Sequence, residues 1–173
     1  MLAYVFWHRS VAGTEPALYE RALVKFHAAL ASAPPPGFHR SWAFRLVSIP
    51  WLAGATGYED WYFVDDFAAL GELNEAAVAA SRKAPHDAVA RLTAQGTGGV
   101  YRLVAGEPLP EEVEAAAWLS KPAGKPDAEF LAALGGTVWQ RQMTLGPTPE
   151  FCLHLPGGAQ APPDAVKLAV TKL

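Results

Sequence analysis

His8 is the first side chain whose type and position suit acid–base chemistry. It ends the apolar run that starts at Leu2, and Arg9 follows it. An imidazole changes charge near neutral pH, so a histidine at the mouth of a cleft can serve as a general base. The alternative is a histidine that is hydrogen-bonded at a strand end and has only a structural role, because spacing identifies no partner for it.

Arg45 and Arg141 are candidates for binding an anionic ligand. Each lies in phase with apolar residues of a predicted strand. A guanidinium on an apolar face needs an anionic partner, which is either a ligand or a carboxylate of the chain itself. Structural ion pairs with Glu59, Asp60 or Glu150 are the alternative.

Asn74 and two tryptophans complete the candidate site. Asn74 falls within the apolar stripe of a predicted helix, where its amide either orients a substrate carbonyl or enolate or bonds to the backbone of a neighbouring segment. Trp61 is expected to line the cleft and bind substrate. Trp51 lies in a predicted loop, so it is either a lid over the ligand or an anchor in a subunit interface, and we favour the interface.

The sequence predicts neither a metal site nor a cofactor. Cys152 and His154 share one face of a predicted strand, but two ligands do not make a metal site. The sequence contains no glycine-rich phosphate loop, nucleophile elbow or HExxH motif, which disfavours nucleotide-dependent enzymes and the familiar hydrolases. Ligation of haem by His86 or His154 is left open.

Two periodicities alternate along the chain and predict the elements that position these residues. The stretch from Gly57 to Val78 contains the clearest switch, from an aromatic strand to a helix. Strands are predicted at 2–8, 39–49, 61–64, 100–104, 115–119, 138–145, 151–155 and 166–171, and helices at 14–30, 67–78, 85–92 and 127–134. Loops are predicted at 50–57, at the glycines of 96–99 and in an acidic, proline-containing linker at 107–114.

The order of these elements predicts an α+β fold made of two tandem ferredoxin-like units, with the element order β-α-β-β-α-β, that form an α+β barrel. The first unit covers residues 1–106 and contains an extra short helix. The second unit covers 107–173, is shortened, lacks one helix and packs against the first as one compact domain. The similar strings VYRLV at 100–104 and VKLAV at 166–170 favour an internal duplication.

This element order resembles the dimeric α+β barrel superfamily, in which two such sheets pack face to face. The strings FWHR, YEDWY, LNEAAV and RQMTLGP, which begin at residues 6, 58, 73 and 141, are similar to those of uncharacterised bacterial proteins of this type. The resemblance implies a range of functions, because the superfamily includes cofactor-free monooxygenases, isomerases of small ligands, haem-binding enzymes and plain ligand-binding or regulatory domains.

Composition limits the partners and the compartment. The net charge of −3 disfavours nucleic-acid binding, and the single cysteine excludes an intramolecular disulfide. The apolar run at the start of the chain is too short to span a membrane. We therefore expect a cytoplasmic protein without nucleic-acid or membrane partners, for which a small-molecule ligand and a homodimer are the candidate partners.

The working hypothesis is a small-molecule-binding barrel protein with monooxygenase-like or isomerase-like chemistry on an aromatic or anionic metabolite, without a cofactor. His8 and Asn74 are its catalytic candidates, and Arg45, Trp61, Arg141 and Trp51 are its substrate-binding candidates. The alternative is a non-catalytic interaction or regulatory module that fills its barrel with its own side chains and self-associates. The hypothesis fails if both arginines pair with internal carboxylates and no pocket opens between sheet and helices.

Overall fold

The structure is a computed structural model, and it describes residues 1–53, 55–107 and 113–173. Its strands are β1 (Leu2–Ser10), β2 (Phe38–Ile49), β3 (Ala55–Val64), β4 (Thr93–Ala105), β5 (Ala115–Leu119), β6 (Thr137–Arg141), β7 (Phe151–Leu155) and β8 (Val166–Lys172). Its helices are α1 (Pro16–Ser32), α2 (Phe67–Ala77), α3 (Ala80–Ala90) and α4 (Asp127–Leu134), and a 3₁₀ turn covers Pro50–Leu52. Most of the predicted acidic linker, at 108–112, lies outside the described residues.

The strands of the described residues form one closed antiparallel barrel in the order β1-β3-β2-β8-β5-β7-β6-β4. Two ladders close it, because β2 pairs with β8 and β4 pairs with β6. The predicted fold class, two tandem ferredoxin-like units that form an α+β barrel, is therefore wrong. A closed barrel leaves no unpaired sheet edge, and its closing ladders join segments that lie far apart in sequence, which local element order does not reveal.

Residues along each strand alternate between the barrel interior and the outer face. The interior contains Trp7, Trp61, Trp118 and Trp139, all of them 0% exposed. Their rings meet edge to face, with centroids 5.4 Å apart for Trp7 and Trp118 and 5.7 Å apart for Trp61 and Trp139. Aromatic side chains that interlock in this way make the interior a packed core.

Helices α1, α2 and α3 cover the outer face of the half of the barrel that contains β1 and β3. Helix α1 buries the predicted stripe of Tyr19, Leu23, Phe26 and Leu30 against that face. Helix α2 starts at the predicted place because the Asp66 carboxylate accepts a hydrogen bond from a backbone amide of its first turn at 3.0 Å. Helix α4 covers the opposite side of the barrel, where it packs on β5, β6 and β7.

Several predicted boundaries differ from the structure. Helix α3 begins at Ala80, before its predicted start at Pro85, and the proline lies inside the helix. The glycines of 96–99, predicted as a turn, lie inside β4. Strand β6 ends at Arg141 instead of at residue 145, and Met143 beyond it has a φ of 52°, which is incompatible with an extended strand. Within the described ranges, no helix is both long and apolar enough to cross a membrane.

Candidate functional site

A cavity of about 900 Å³ opens between helices α1, α2 and α3 and the outer face of the sheet. Its floor is a row of rings on β1. The centroids of Tyr4 and Phe6 are 6.2 Å apart with the planes at 19°, and those of Phe6 and His8 are 5.0 Å apart with the planes at 20°. A Cβ atom on Gly98 of β4 would lie only 2.7 Å from Tyr4 Oη, so the glycine makes room for this row of rings. The walls are mostly apolar and include Leu23, Phe26, Phe67, Leu70 and Val89.

A continuous polar chain runs beneath this floor. The register of β1 and β3 makes His8 and Asp60 diagonal neighbours on the outer face. His8 Nε2 lies 3.1 Å from Asp60 Oδ2, and His8 Nδ1 lies 2.6 Å from the hydroxyl of Tyr19 on α1. The Tyr19 hydroxyl lies 2.8 Å from Thr93 Oγ1. The charge of Asp60 therefore lies beside one nitrogen of His8, and a tyrosine hydroxyl is hydrogen-bonded to the other, which is an arrangement suited to proton transfer.

His27 of α1 reaches the same carboxylate from another direction. Its Nε2 lies 3.4 Å from Asp60 Oδ2, and its Nδ1 lies 2.7 Å from the hydroxyl of Ser41 on β2. Neither His8 Nε2 nor His27 Nε2 has the geometry of a hydrogen bond to Asp60 Oδ2. Both imidazoles are therefore attracted to this carboxylate mainly by charge. The Tyr62 hydroxyl donates a hydrogen bond to the same oxygen at 3.0 Å.

The two imidazoles determine the charge of Asp60. Burial by itself raises the pKa of this carboxyl, whose side chain is 2% exposed, but His8 and His27 outweigh the burial and hold the pKa of Asp60 below its ordinary value. Asp60 is therefore ionised at neutral pH. Its other oxygen, Oδ1, is buried and has no hydrogen-bond partner among the described residues, so it offers an acceptor to a ligand or to water.

The tyrosines of the site remain protonated at neutral pH. Burial raises the pKa of Tyr4, Tyr19 and Tyr62, and the negative charge of Asp60 raises each of these pKa values further. Their hydroxyls are therefore donors. Tyr19 and His8 line the cavity, but they are only 0% and 1% exposed to solvent.

Glu59, which precedes Asp60, points into the barrel instead of towards the cavity. It is 1% exposed and accepts hydrogen bonds from Trp7 Nε1 at 2.6 Å and from Trp61 Nε1 at 2.7 Å. Burial raises the pKa of Glu59 to about 7, although both indole hydrogen bonds lower it. Burial also lowers the pKa of His154, in the same interior, to about 3, so this imidazole is neutral at pH 7.

Neither of the predicted anion-binding arginines reaches the cavity. Arg45 lies on the outer face of β2 with its side chain 46% exposed, and its guanidinium is 3.1 Å from a carboxylate oxygen of Glu20 on α1. Arg141 donates hydrogen bonds to the carbonyls of Gly146 and Thr148, and among the described residues it forms no ion pair with a carboxylate. Arg45 thus has an internal partner, whereas Arg141 holds the loop that follows β6.

The other three candidates lie in different environments. Asn74 borders the cavity on α2, but its side chain is exposed and contacts the next glutamate, so the prediction that it lies in a buried stripe is wrong. Trp61 is part of the barrel interior. Trp51 is partly buried, and its ring lies 5.2 Å from that of Trp7 and 5.3 Å from that of Trp118. This ring packs onto the interior cluster instead of projecting as an exposed anchor or as a lid over the cavity.

The sequence pattern identifies His8 as a candidate but does not identify Tyr19, His27 or the role of Asp60. The available signals were that Asp60 alternates with two tyrosines along β3, and that His27 follows Tyr19 at i+8 on one side of a helix. Neither pattern indicates that α1 packs over β3. The site therefore depends on a tertiary contact that spacing does not encode.

Within the described parts of the chain, no group of three or more His, Cys, Asp and Glu residues is arranged to hold a metal ion. No protein-family model matches the sequence, and the curated proteins contain no match. Among solved structures, the chain is similar to one titled "Crystal structure study of anthrone oxidase-like protein", with 12% identity, a TM-score of 0.46, and coverage of 87% of this chain and 70% of that chain. Similarity at this level supports no conclusion about fold or function.

Proposed function

We propose that the protein binds a planar aromatic small molecule in the cavity under α1, α2 and α3 and transfers a proton from it. The observation that carries the proposal is the position of His8, which contacts both Asp60 and Tyr19 at the base of a cavity with an aromatic floor. An imidazole that lies between a carboxylate and a hydrogen-bonded hydroxyl has the order of groups from which catalytic triads move protons, with Asp60 acting here mainly through its charge.

The shape of the cavity supports an aromatic ligand. The Tyr4 and Phe6 rings are inclined to each other by 19° and the Phe6 and His8 rings by 20°, so this row of nearly parallel rings gives the cavity an aromatic lining that an aromatic ligand can contact. Apolar side chains from three helices supply the walls. A cavity of this kind, with a few polar groups at one end, is typical of small-molecule sites.

The polar groups support a ligand that carries a hydroxyl or an enolisable ketone. Asp60 Oδ1 is an unused acceptor for a ligand O–H, and the Tyr19 oxygen, whose own proton is directed to His8 Nδ1, can accept a ligand proton. We expect the hydroxyl proton of Tyr19 to pass to His8 Nδ1 as the ligand proton passes to Tyr19 Oη. The ligand then loses one proton and becomes an enolate or phenolate, Tyr19 stays neutral, and His8 gains the proton beside Asp60.

Concerted transfer is required because burial and the Asp60 charge disfavour a free tyrosinate at position 19. An enolate formed in this way can be reprotonated at another atom, which is isomerase-like chemistry. It can also react with molecular oxygen as a co-substrate, which is monooxygenase-like chemistry without a cofactor. Proton abstraction is common to both reactions, so it is the step to test.

The test uses 2-tetralone, an enolisable aromatic ketone, as the probe. Exchange of its C1 protons for deuterium is followed by NMR in D₂O, with the wild type and with His8→Gln. We expect the wild type to accelerate exchange above buffer and His8→Gln to lose this acceleration by a factor of 10² or more, because general base catalysis contributes about 10²–10⁴. The control is His39→Gln, which removes an exposed imidazole paired with Asp65.

Two results would contradict the proposal. One is exchange by the wild type that does not exceed the buffer rate while 2-tetralone demonstrably binds. The other is equal acceleration by the wild type and by folded His8→Gln protein.

A further inference from the structure

The groups at the base of the cavity are closed off from solvent. Tyr19, His8 and Asp60 are 0%, 1% and 2% exposed, although all three line the cavity. A ligand therefore reaches them only if a wall of the cavity moves aside while the ligand enters. This step rests on the proposed function, because it takes the cavity to be a ligand site.

Helix α2 is a wall with one anchored end and one weakly packed end. Its first half is anchored, because Ala69 and Leu73 are buried and a Cβ atom on Gly37 would lie only 2.5 Å from Ala69 Cβ. The four residues that follow Leu73 in the helix are exposed or only partly buried, and two of them, Asn74 and Ala77, line the cavity. We name this last turn, residues 74–77, the lid. Few buried contacts hold the lid, so local opening is easier there than in the anchored half.

Two features of the backbone also favour opening of the lid. Gly71 lies just before it, and a glycine lowers the stability of a helix interior. Ala80 lies just after it with a φ of 48°, a left-handed conformation that is strained for any residue other than glycine. Such a conformation persists only where neighbouring contacts hold it, so the lid needs a contact that keeps it in place.

Arg82 of α3 makes that contact and links the lid to the end of α1. Its Nε donates a hydrogen bond to the carbonyl of Ala76 in the lid at 2.7 Å, and its Nη1 donates to the carbonyl of Ala33, the C-cap of α1. The last turns of α1 and α2 lie wholly within the described residues and contain no basic residue. A cation stabilises the carbonyl end of a helix, so this one guanidinium serves both helix ends.

We propose that the lid controls entry of the ligand into the cavity and that Arg82 holds the lid closed. When the bond between Arg82 and Ala76 breaks, residues 74–77 unwind from α2 while the anchored half stays on the sheet. Arg82 does not belong to the described residues that line the cavity. It is therefore a positioning residue, which acts on the ligand through the lid.

The first test is hydrogen–deuterium exchange of the full chain without ligand, followed by mass spectrometry. We expect Arg82→Gln to accelerate exchange of the lid amides about tenfold, because hydrogen bonds from a charged group are among the stronger ones and their loss favours local opening. Exchange of the buried part of α1, residues 19–30, should stay within about twofold of the wild type. The control is Arg91→Gln, which removes an exposed arginine at the other end of α3 and should change neither segment.

This comparison separates a local role from a general loss of stability. Unchanged exchange in the lid of Arg82→Gln overturns the proposal. Equal acceleration in the lid and in residues 19–30 also overturns it, because the arginine then stabilises the whole fold. Arg82→Lys is a second variant for the case that Arg82→Gln does not fold. Its ammonium keeps the charge but loses the fork that donates to two carbonyls, so its lid should also exchange faster than that of the wild type, and wild-type exchange would overturn the link.

The second test measures by stopped-flow fluorescence how fast 2-naphthol binds to the protein and leaves it. If the ligand passes only through the open lid, a larger open fraction raises both rates by the same factor. Arg82→Gln should therefore associate and dissociate about tenfold faster with a nearly unchanged Kd. An unchanged association rate overturns the lid, since a damaged cavity would speed dissociation alone. Absence of 2-naphthol binding by the wild type contradicts the proposed function instead, and the exchange measurement then decides by itself whether Arg82 holds the lid closed.

Discussion

The barrel interior predicts an unusual pH dependence of stability, which originates at Glu59. The pKa of this carboxyl is raised by burial from 4.5 to about 7, so the folded protein holds the proton more tightly than the unfolded chain does. Its contribution to the free energy of unfolding is therefore fully present below about pH 4.5 and is lost as the pH rises towards 7. With 1.36 kcal/mol for each pKa unit, the loss amounts to about 3 kcal/mol.

The perturbation is Glu59→Gln, which keeps the shape and removes the titration. Its amide oxygen can accept from only one of the indoles of Trp7 and Trp61, so the other N–H loses its partner and the variant is less stable than the wild type at pH 5 by about 1–3 kcal/mol. The wild type loses stability on going to pH 8 and the variant does not. The difference between them should therefore shrink or reverse by about 3 kcal/mol.

Urea unfolding followed by far-UV circular dichroism at pH 5, 6, 7 and 8 measures this difference directly. Circular dichroism is preferred because Glu59 contacts two tryptophans, and the substitution changes their fluorescence. Glu72→Gln on the exposed face of α2 is the matched control for the replacement of a glutamate by glutamine. A wild-type-minus-Glu59→Gln difference that is constant from pH 5 to pH 8 would refute the assignment of the raised pKa to this buried carboxyl.

Three further predictions concern the cavity and the surface. Tyr19→Phe should bind 2-naphthol as the wild type does but slow the deuterium exchange of 2-tetralone at least tenfold, since the ring stays and the relay hydroxyl is lost; weaker binding with unchanged exchange would contradict this role. Gly98→Ala should lower the melting temperature, because its Cβ would lie 2.7 Å from the Tyr4 hydroxyl. Gly71→Ala is the control, and it should raise the melting temperature slightly because it adds a methyl group in open space on α2. Equal changes in melting temperature would contradict the crowding at Gly98. Arg45→Gln should change stability by less than about 1 kcal/mol and leave 2-naphthol affinity unchanged in calorimetry, because the Glu20 pair is partly exposed; a large loss of affinity would place the arginine at the ligand after all.

Local sequence patterns predict the positions of the strands and helices better than they predict which face of each strand carries the candidate catalytic residues. In β3 the alternation separates Glu59 and Trp61 from Asp60 and Tyr62, and the structure has these two sets on opposite faces. Both faces are covered, one by the barrel interior and the other by helices, so apolar residues occur on both. The alternation of apolar residues along a strand therefore does not identify the face that lies in the interior, and for this reason the sequence places Arg45 at a buried position although it is exposed.

Barrel closure and site assembly were not accessible for a related reason. The ladder between β2 and β8 pairs Leu46 with Val170, which lies far away in the sequence. The contact between His27 and Asp60 similarly connects helix α1 to strand β3. Such pairings depend on register and on helix docking, neither of which leaves a periodic trace in one sequence. The sequence identifies His8 as a candidate because a histidine suits acid–base chemistry by its residue type alone. It does not identify Tyr19, whose position in the sequence is that of any aromatic residue in a core.

The carboxyl groups of Glu59 and Asp60 are adjacent in β3 but lie on opposite faces of the sheet, and their pKa values differ. Glu59 is solvated by neutral indole donors, and its burial raises its pKa, whereas Asp60 faces two imidazoles that lower its pKa. Between about pH 5 and 7 the strand therefore carries its negative charge on the helix side only. Groups whose environments drive their pKa values apart in this way separate the acid and base roles of a site. A neutral interior stabilises the barrel, and the ionised Asp60 holds the charge that proton transfer at His8 requires, so exchanging the two environments should disable both stability and proton transfer.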